Sequence, residues 1–134
     1  MTQKADKLIQ QATDLLRARY CKEGHHAVVA AAVLTQSGNT YVSTNLGTYQ
    51  PSISTCAEIM AIGLAFQAEP DMKIDTIVTV RDKDPYLITP CGKCREYIAD
   101  YGDENTRVVI PDDRGGYTLK KIGTLLPDKY KKRS

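Results

Sequence analysis

The N-terminal segment carries apolar residues three or four positions apart, with Lys, Gln, Asp and Arg between them. The apolar positions are Leu8, Ile9, Ala12, Leu15, Leu16 and Tyr20. Because an α-helix completes one turn in about 3.6 residues, this spacing places the apolar side chains on one face. The pattern predicts a surface helix over residues 4–20.

Two runs of strand-forming residues follow. Residues 27–34 are continuously apolar, and residues 40–44 are rich in β-branched and aromatic side chains. The turn-forming residues Ser37, Gly38 and Asn39 separate the two runs, which favours a hairpin. The small side chains at residues 30–32 are expected to pack within the sheet.

The rest of the chain alternates helical and extended patterns. Residues 57–66 are apolar on almost every side apart from Glu58, which predicts a helix buried over most of its surface. Short buried strands are predicted over residues 76–80 and 107–110, with a loop at 82–89 and a helix at about 91–101 between them. Residues 117–119 are expected to form an edge strand, followed by a short helix ending near Pro127. This alternation indicates an α/β fold with a mixed sheet of about five strands.

The length, net charge and apolar content of the chain argue against nucleic acid and membranes as partners. With 134 residues, 42% of them hydrophobic, residues 1–134 are expected to form one domain. A formal net charge of +2 is too small to favour nucleic acid as a partner. No apolar run reaches the roughly 18 residues of a membrane span, and the N-terminus lacks the apolar core of a signal peptide. We therefore expect a cytoplasmic protein without a membrane partner, whose four cysteines are thiols or metal ligands.

Cys91 and Cys94 form a Cys-x-x-Cys pair at the start of the later predicted helix. Thr89 and Pro90 fit the N-cap and the first helical position. This spacing places both sulfurs on one face, where free N–H groups and the helix dipole stabilise thiolates, the form that binds zinc. Structural zinc sites and redox motifs share the spacing, so the pair alone does not distinguish between them.

Cys56 is the candidate third ligand, and Glu58 follows it by two residues in the apolar helix. Three protein ligands leave one tetrahedral position open to water, as in catalytic zinc sites. A carboxyl group beside that water can carry a proton to a leaving group. Three thiolates on Zn²⁺ leave a net negative charge, which Arg95 can offset by donating hydrogen bonds to the sulfurs.

These motifs together resemble the cytidine deaminase superfamily. The matching strings are Cys-Ala-Glu at residues 56–58 and Pro-Cys-Gly-x-Cys-Arg at residues 90–95. Val-Ala-Ala-Ala at residues 29–32 and Leu-Leu-Pro at residues 125–127 are similar to further family segments. Cysteine at position 56 resembles the branch that acts on free nucleosides. Within that branch, the His-His pair at residues 25–26, the block at residues 56–63 and the Leu-Pro-x-Lys-Tyr tail resemble the bacterial blasticidin-S deaminases.

The resemblance implies a three-layer α/β/α fold, a homotetramer and a small-molecule nucleoside substrate. It implies that Cys56, Cys91 and Cys94 bind Zn²⁺ and that Glu58 is the proton shuttle. The implied reaction is hydrolytic deamination at C4 of a cytosine nucleoside, with release of ammonia.

The resemblance also implies the substrate contacts. Backbone groups near Ala57 and Thr89 would hold the base, and Asn45 falls where a ribose-binding Asn is expected. Ordinary cytidine deaminases carry a Glu two residues after that Asn, whereas this chain has Gly47. Because Gly47 has no acceptor for a ribose hydroxyl, we expect vacated space for a bulkier or charged sugar, as in a nucleoside antibiotic of the blasticidin S type.

Charged residues elsewhere are candidates for binding such a sugar. Arg81 or Lys83 is a candidate partner for a sugar carboxylate. The candidate partners for a cationic tail are Asp103, Glu104, Asp112 and Asp113.

Several alternatives stay open from the sequence. The substrate alternatives are cytidine, deoxycytidine and a free aminopyrimidine or triazine base. The site alternatives are a structural zinc site with Cys21 as fourth ligand and a silent zinc module that binds nucleic acid through its basic ends. We interpret Cys21 as a free thiol and the His25–His26 pair as a polar entrance or packed residues.

Overall fold

The computed structural model describes residues 2–23 and 26–132. Its helices are α1 (Thr2–Arg19), α2 (Ala57–Ala68), α3 (Gly92–Asp100) and α4 (Ile122–Leu125). Its strands are β1 (Val29–Thr35), β2 (Thr40–Thr44), β3 (Ile74–Arg81), β4 (Tyr86–Leu87), β5 (Arg107–Pro111) and β6 (Tyr117–Lys121). A 3-10 turn, Pro51–Ile53, precedes α2.

The strands form one mixed sheet in the order β2-β1-β3-β5-β6, with β4 paired to β3. The pair β3–β5 is parallel and spans the α3 crossover, while β1–β2, β1–β3, β3–β4 and β5–β6 are antiparallel. The predicted hairpin, mixed sheet and α/β class are therefore confirmed. The sheet has six strands rather than about five, because residues 86–87 of the predicted loop pair with the end of β3.

Alternation along the strands divides the apolar side chains between two cores. Ala31 and Val33 of β1 face α2 and α3, whereas Ala30 and Ala32 face α1 and contact a core that includes Leu16. Successive strand residues point to opposite faces, so each run of small apolar residues serves both cores. Helices thus cover both faces of the sheet, and the three-layer arrangement is confirmed.

Helix α2 is less enclosed than its sequence predicts. Ala57, Glu58, Ala61, Ile62 and Ala65 are buried. The opposite side of the helix is open, with Leu64 48% exposed and Phe66 39% exposed. The sheet covers only one side of α2, so the other apolar side remains at the surface of this chain.

Candidate active site

Cys56 and Cys91 occupy equivalent positions in two helices. Cys56 is the N-cap of α2, with φ −64° and ψ 147°, and Cys91 is the N-cap of α3, with φ −69° and ψ 172°. Neither sulfur makes a capping hydrogen bond. Both thiols are therefore available at the positive ends of helix dipoles, which favour thiolate and metal binding.

The predicted N-cap at Thr89 and first helical residue at Pro90 are wrong. The first turn of α3 is closed by a bond of 2.9 Å from the backbone N–H of Arg95 to the carbonyl of Cys91. The carbonyl of Pro90 accepts instead from Nε of the Arg95 side chain, at 2.9 Å. Because Pro90 is outside the helical hydrogen-bond pattern, Cys91 becomes the capping residue.

The extended segment before α2 is fixed by a two-way backbone contact. Leu46 donates to the carbonyl of Thr55 at 2.9 Å, and Thr55 donates to the carbonyl of Leu46 at 3.0 Å. This bridge holds the residue before Cys56 against the chain that leaves β2. The first turn of α2, with Glu58, consequently has a fixed position above the sheet.

Three of the predicted site residues converge. One ligand atom from each of Cys56, Glu58 and Cys94 lies within 4.8 Å of the other two. Cys91 is exposed and lies outside this close group. All four line a single cavity of about 420 Å³. The two helix starts thus bring the sequence-distant cysteines and Glu58 to one place.

The same cavity contains the predicted substrate contacts. Its other lining residues are Val29, Asn45, Pro51, Ser54, Thr55, Ala57, Arg81, Ile88 and Thr89. Ile88 donates a backbone hydrogen bond to the carbonyl of Thr79 at 3.0 Å, so the segment that leads to Thr89 runs beside β3. A cavity of this size and polarity can hold a small heterocyclic ligand with part of its substituent.

Glu58 is buried beside the sulfurs, with 4% of its surface exposed. Burial raises the pKa of Glu58, and hydrogen bonding by its own backbone N–H and by the Thr79 and Cys94 side chains opposes that rise. The buried Thr79 hydroxyl has no partner within strict hydrogen-bond geometry, so its contact with Glu58 falls outside that geometry. Because burial disfavours its charged form, this carboxyl group binds a proton more readily than an exposed one, which suits it to acid–base catalysis.

The donor set fits a divalent zinc ion. Burial raises the pKa of the Cys94 thiol, and the negative charges of Glu58, Cys56 and Cys91 raise it further. These groups repel one another when ionised, and a cation bound among them removes that repulsion. Cysteine sulfurs are among the ligands that Zn²⁺ prefers in proteins.

Arg95 contacts backbone carbonyls in place of the sulfurs. Its Nε donates to the carbonyl of Pro90 at 2.9 Å, and its Nη1 donates to the carbonyl of Leu125 at 3.0 Å. No hydrogen bond from the Arg95 side chain to a cysteine sulfur occurs within the described ranges 2–23 and 26–132. The predicted contact is therefore corrected: Arg95 ties the α3 start to the end of α4, and through Pro90 it supports Cys91 indirectly.

Asn45 holds two backbone segments together. Its Oδ1 accepts from the N–H of Val28 at 2.9 Å and of Val29 at 3.0 Å. Its Nδ2 donates to the carbonyl of His26 at 3.2 Å. One N–H of the amide remains for a ligand in the cavity, because Nδ2 carries two hydrogens.

Gly47 does not open space beside the cavity. A Cβ at position 47 would lie 2.6 Å from the carbonyl oxygen of His26 and 2.8 Å from its backbone nitrogen. The N–H of Gly47 donates to that same carbonyl at 3.1 Å. The expectation of vacated sugar space is thus wrong, because the backbone of His26 fills the place that a side chain would take.

The charged residues predicted to bind the sugar differ in whether they line the cavity. Arg81 lines the cavity, whereas Lys83 does not. The acidic candidates lie elsewhere: the Asp103 carboxylate accepts from the Gln36 side chain at 3.0 Å, and Asp112 accepts from the N–H groups of Arg114 and Gly116 in the β5–β6 turn. None of the four predicted acidic residues lines the cavity of this chain, and their contact with a cationic tail stays a prediction.

Cys21 is outside the close group of Cys56, Glu58 and Cys94. Cys21 is exposed, has a free thiol and directs that thiol to the carbonyl of Glu23 at 3.0 Å. His26 takes part through its backbone, as above, and His25 lies outside the described residues. Cys21 is therefore not among the three cysteines that line the cavity, which argues against a closed four-cysteine site.

Thr79 is a residue near the site that the sequence pattern does not predict. It lies on the face of β3 toward α2, is 1% exposed and approaches Glu58. The available signal is a hydroxyl residue inside an otherwise apolar strand, at the alternate position that faces the buried helix. A pattern of this kind becomes informative only once the helix that covers the strand is known.

Within the described ranges, no helix has the length and hydropathy to cross a membrane.

Residues 2–110 match the family model described as the cytidine and deoxycytidylate deaminase zinc-binding region. The chain is 32% identical over 131 residues to a blasticidin-S deaminase of Bacillus cereus, which covers 92% of this chain and 90% of the relative. It is 30% identical over 107 residues to a probable cytidine deaminase of Dictyostelium discoideum, covering 80% of this chain and 71% of the relative.

A solved structure shares the fold. The chain resembles the crystal structure of the cytidine deaminase from Bacillus anthracis with a TM-score of 0.77 and 21% identity. The similarity covers 93% of this chain and 88% of that one. The arrangement of sheet and helices described above is therefore also found in that protein.

Proposed function

The chain belongs to the family of the cytidine and deoxycytidylate deaminase zinc-binding region, and on that premise we propose that it hydrolyses the 4-amino group of a nucleoside antibiotic of the blasticidin S type. Membership of this family makes it a zinc-dependent hydrolytic deaminase of cytosine nucleosides. In the proposed reaction, water adds to C4 of the cytosine ring and the C4–NH₂ bond breaks. The products are a C4 carbonyl and ammonia. The biological role would be antibiotic resistance.

The observation that carries the proposal is the convergence of Cys56, Glu58 and Cys94 within 4.8 Å in one cavity. Cys56, Cys91 and Cys94 would hold Zn²⁺, which when bound supplies a water acidic enough to act as a nucleophile near neutral pH. Cys91 would join the other two sulfurs by a side-chain rotation, since it is exposed at its N-cap.

Glu58 would move the protons of the reaction. Its carboxylate takes a proton from the attacking water, delivers it to N3 of the ring and then transfers a second proton to the departing amine. Burial suits it to both steps, because its raised pKa lets it hold a proton between them. The enclosed setting also excludes bulk water, which strengthens each hydrogen bond to the reacting ring.

Substrate contacts would come from the lining of the cavity. Backbone groups at Ala57 and Thr89 would hold the base, and the remaining N–H of Asn45 would contact the sugar. The antibiotic is favoured over cytidine by the relative that covers 92% of this chain, and by Gly47, which has no acceptor for a ribose hydroxyl.

The test is Glu58→Gln in purified protein, with release of ammonia and bound zinc measured on the same samples. We expect loss of turnover by about 100-fold or more with zinc content unchanged, because the amide cannot carry a proton. Glu69→Gln is the matched control, since Glu69 lies at the other end of α2 and should not affect turnover. Full activity of Glu58→Gln, or loss of its zinc, would contradict the assigned role.

Cytidine or deoxycytidine is the second candidate substrate. The relative at 30% identity is named a probable cytidine deaminase, and the family model covers deoxycytidylate enzymes as well. Initial rates with blasticidin S, cytidine, deoxycytidine and free cytosine separate the candidates. Efficient use of cytidine with no turnover of the antibiotic would replace the first proposal by this one.

We also propose a cytoplasmic homotetramer built from one domain over residues 1–134. Leu64 and Phe66 leave an apolar side of α2 at the surface, which fits an interface between subunits. The four free thiols fit a reducing compartment. The net charge of +2 gives no support to a nucleic-acid partner. Sedimentation analysis tests the tetramer directly.

A further inference from the structure

Two charged side chains line the active-site cavity within the described ranges, and they lie at different depths. Glu58 is 4% exposed, whereas Arg81, the last residue of β3, is exposed. All other lining residues are apolar, polar and uncharged, or cysteine. The cavity therefore has an acid among the metal ligands and a permanent cation nearer to solvent.

The guanidinium of Arg81 has no ionic partner in the part of the chain that the structure describes. The ion pairs there both belong to Lys129. The neighbouring carboxylate of Asp82 directs Oδ1 to the N–H of Lys83 at 2.9 Å and to the hydroxyl of Tyr20 at 3.4 Å. Arg81 is thus a cation that lines the cavity and has no ionic partner among the described residues.

The backbone that carries Arg81 is held firmly. Arg81 pairs with Val29 on one side and with Tyr86 on the other. Asp82 adopts φ 82°, a left-handed conformation unusual for a residue with a side chain. Its N–H donates to the carbonyl of Val28 at 2.8 Å, which helps to fix this conformation. The fixed backbone keeps the base of the Arg81 side chain beside the cavity that it lines.

We propose that Arg81 binds an anionic group on the sugar of the substrate and so selects acidic cytosine nucleosides over neutral ones. This inference rests on the proposed deaminase function. The cytosine ring is neutral, so the partner of the guanidinium must come from the sugar part. A carboxylate or a phosphate offers two oxygens in the geometry that a guanidinium matches, and both share the chemistry required here.

The experiment compares four substrates: cytidine, cytidine 5′-carboxylate, its neutral 5′-carboxamide and cytidine 5′-monophosphate. The quantity measured is kcat/KM for ammonia release at low ionic strength by the unaltered enzyme, Arg81→Gln and Arg81→Lys. Lys83→Gln is the matched control, because Lys83 is a nearby cation that does not line the cavity. The carboxamide keeps the size of the carboxylate and removes its charge.

We expect the unaltered enzyme to prefer the carboxylate over the carboxamide by about tenfold, the usual effect of one charged hydrogen-bonded pair. Arg81→Gln should reduce that ratio to about one, Arg81→Lys should keep part of it, and Lys83→Gln should leave it unchanged. A stronger preference for the monophosphate than for the carboxylate would identify phosphate as the anion.

Three results would overturn the inference. The first is an equal rate with carboxylate and carboxamide in the unaltered enzyme. The second is an equal loss for all four substrates in Arg81→Gln, which would place the action of Arg81 on the metal centre. The third is an absence of ammonia release from every cytosine compound, which would overturn the proposed function itself and is thus distinguished from the first two.

Discussion

Gly47 packs directly on the backbone of His26. The carbonyl oxygen of His26 accepts from the Gly47 N–H at 3.1 Å, and the same oxygen lies 2.6 Å from the place where a Cβ would stand. Since Asn45 Nδ2 also donates to this carbonyl, the segment around His26 is held against the end of β2. Glycine at this position is required by close packing, so residue 47 cannot carry a side chain toward the cavity without displacing the backbone of residue 26.

Gly47→Ala should therefore destabilise the protein. The added methyl group must displace backbone atoms of residue 26, which costs about 1–3 kcal/mol. Gly63→Ala is the matched control, because a Cβ there meets nothing within 4 Å and α2 gains up to about 1 kcal/mol from the better helix former. Urea denaturation of both variants checks this, and equal stability of the two would contradict the packing argument.

Replacing each zinc-site cysteine should remove the metal. Cys56→Ser, Cys91→Ser and Cys94→Ser each substitute a poor zinc ligand for a thiolate, so bound zinc should fall well below one ion per chain. Cys21→Ser is the control, since that thiol is exposed and apart from the cluster. Metal analysis after gel filtration measures the effect. Full zinc in Cys91→Ser would show that the metal needs only the close group.

Thr79→Val should lower turnover without lowering the stability of the fold. The hydroxyl is buried without a partner of strict geometry, so the isosteric valine should leave the free energy of unfolding unchanged or raise it. Turnover should fall roughly threefold to tenfold, because Glu58 loses a contact worth about 1 kcal/mol. Thr76→Val is the control on the opposite face of β3. Reduced stability with unchanged kcat would show that Thr79 has only a packing role.

Glu69 at the end of α2 should make stability depend on pH. Its carboxylate accepts hydrogen bonds from Ser37, Asn39 at 3.0 Å and Tyr41 at 2.5 Å. The Ser37 and Tyr41 bonds are the main causes that hold the pKa of Glu69 below the usual value of 4.5. The folded protein thus binds this proton more weakly than the unfolded chain, so the stabilisation is present above that value and is lost as pH falls below it.

The corresponding experiment compares the unaltered protein with Glu69→Gln by urea denaturation from neutral to acidic pH. The difference in stability should be largest at neutral pH and should shrink in acid. Glu104→Gln, at an exposed position, is the control and should show no such pH-dependent difference. A difference that stays constant across the pH range would mean that the hydrogen bonds do not depend on the charge of Glu69.

The local patterns of the chain were sufficient for most of the secondary structure. The spacing of Leu8, Ala12 and Leu16 gave α1, and the Ser37–Gly38–Asn39 turn gave the β1–β2 hairpin, because both depend on residues close in sequence. The two-residue strand β4 was missed. Its pairing with the end of β3 depends on a partner in another segment and leaves no periodic pattern of its own.

Sequence alone determined which chemical groups the site contains. Cys56, Glu58, Cys91 and Cys94 were identifiable because ligand type and spacing at helix starts are local properties, and the wider motif pointed to the family. Tertiary structure decided what surrounds them. It placed Arg81 in the cavity and Lys83 outside it, turned Arg95 toward carbonyls and filled the space beside Gly47 with the backbone of His26. Those outcomes depend on packing between segments far apart in the chain, and packing of that kind is fixed only when the whole sheet and its helices assemble.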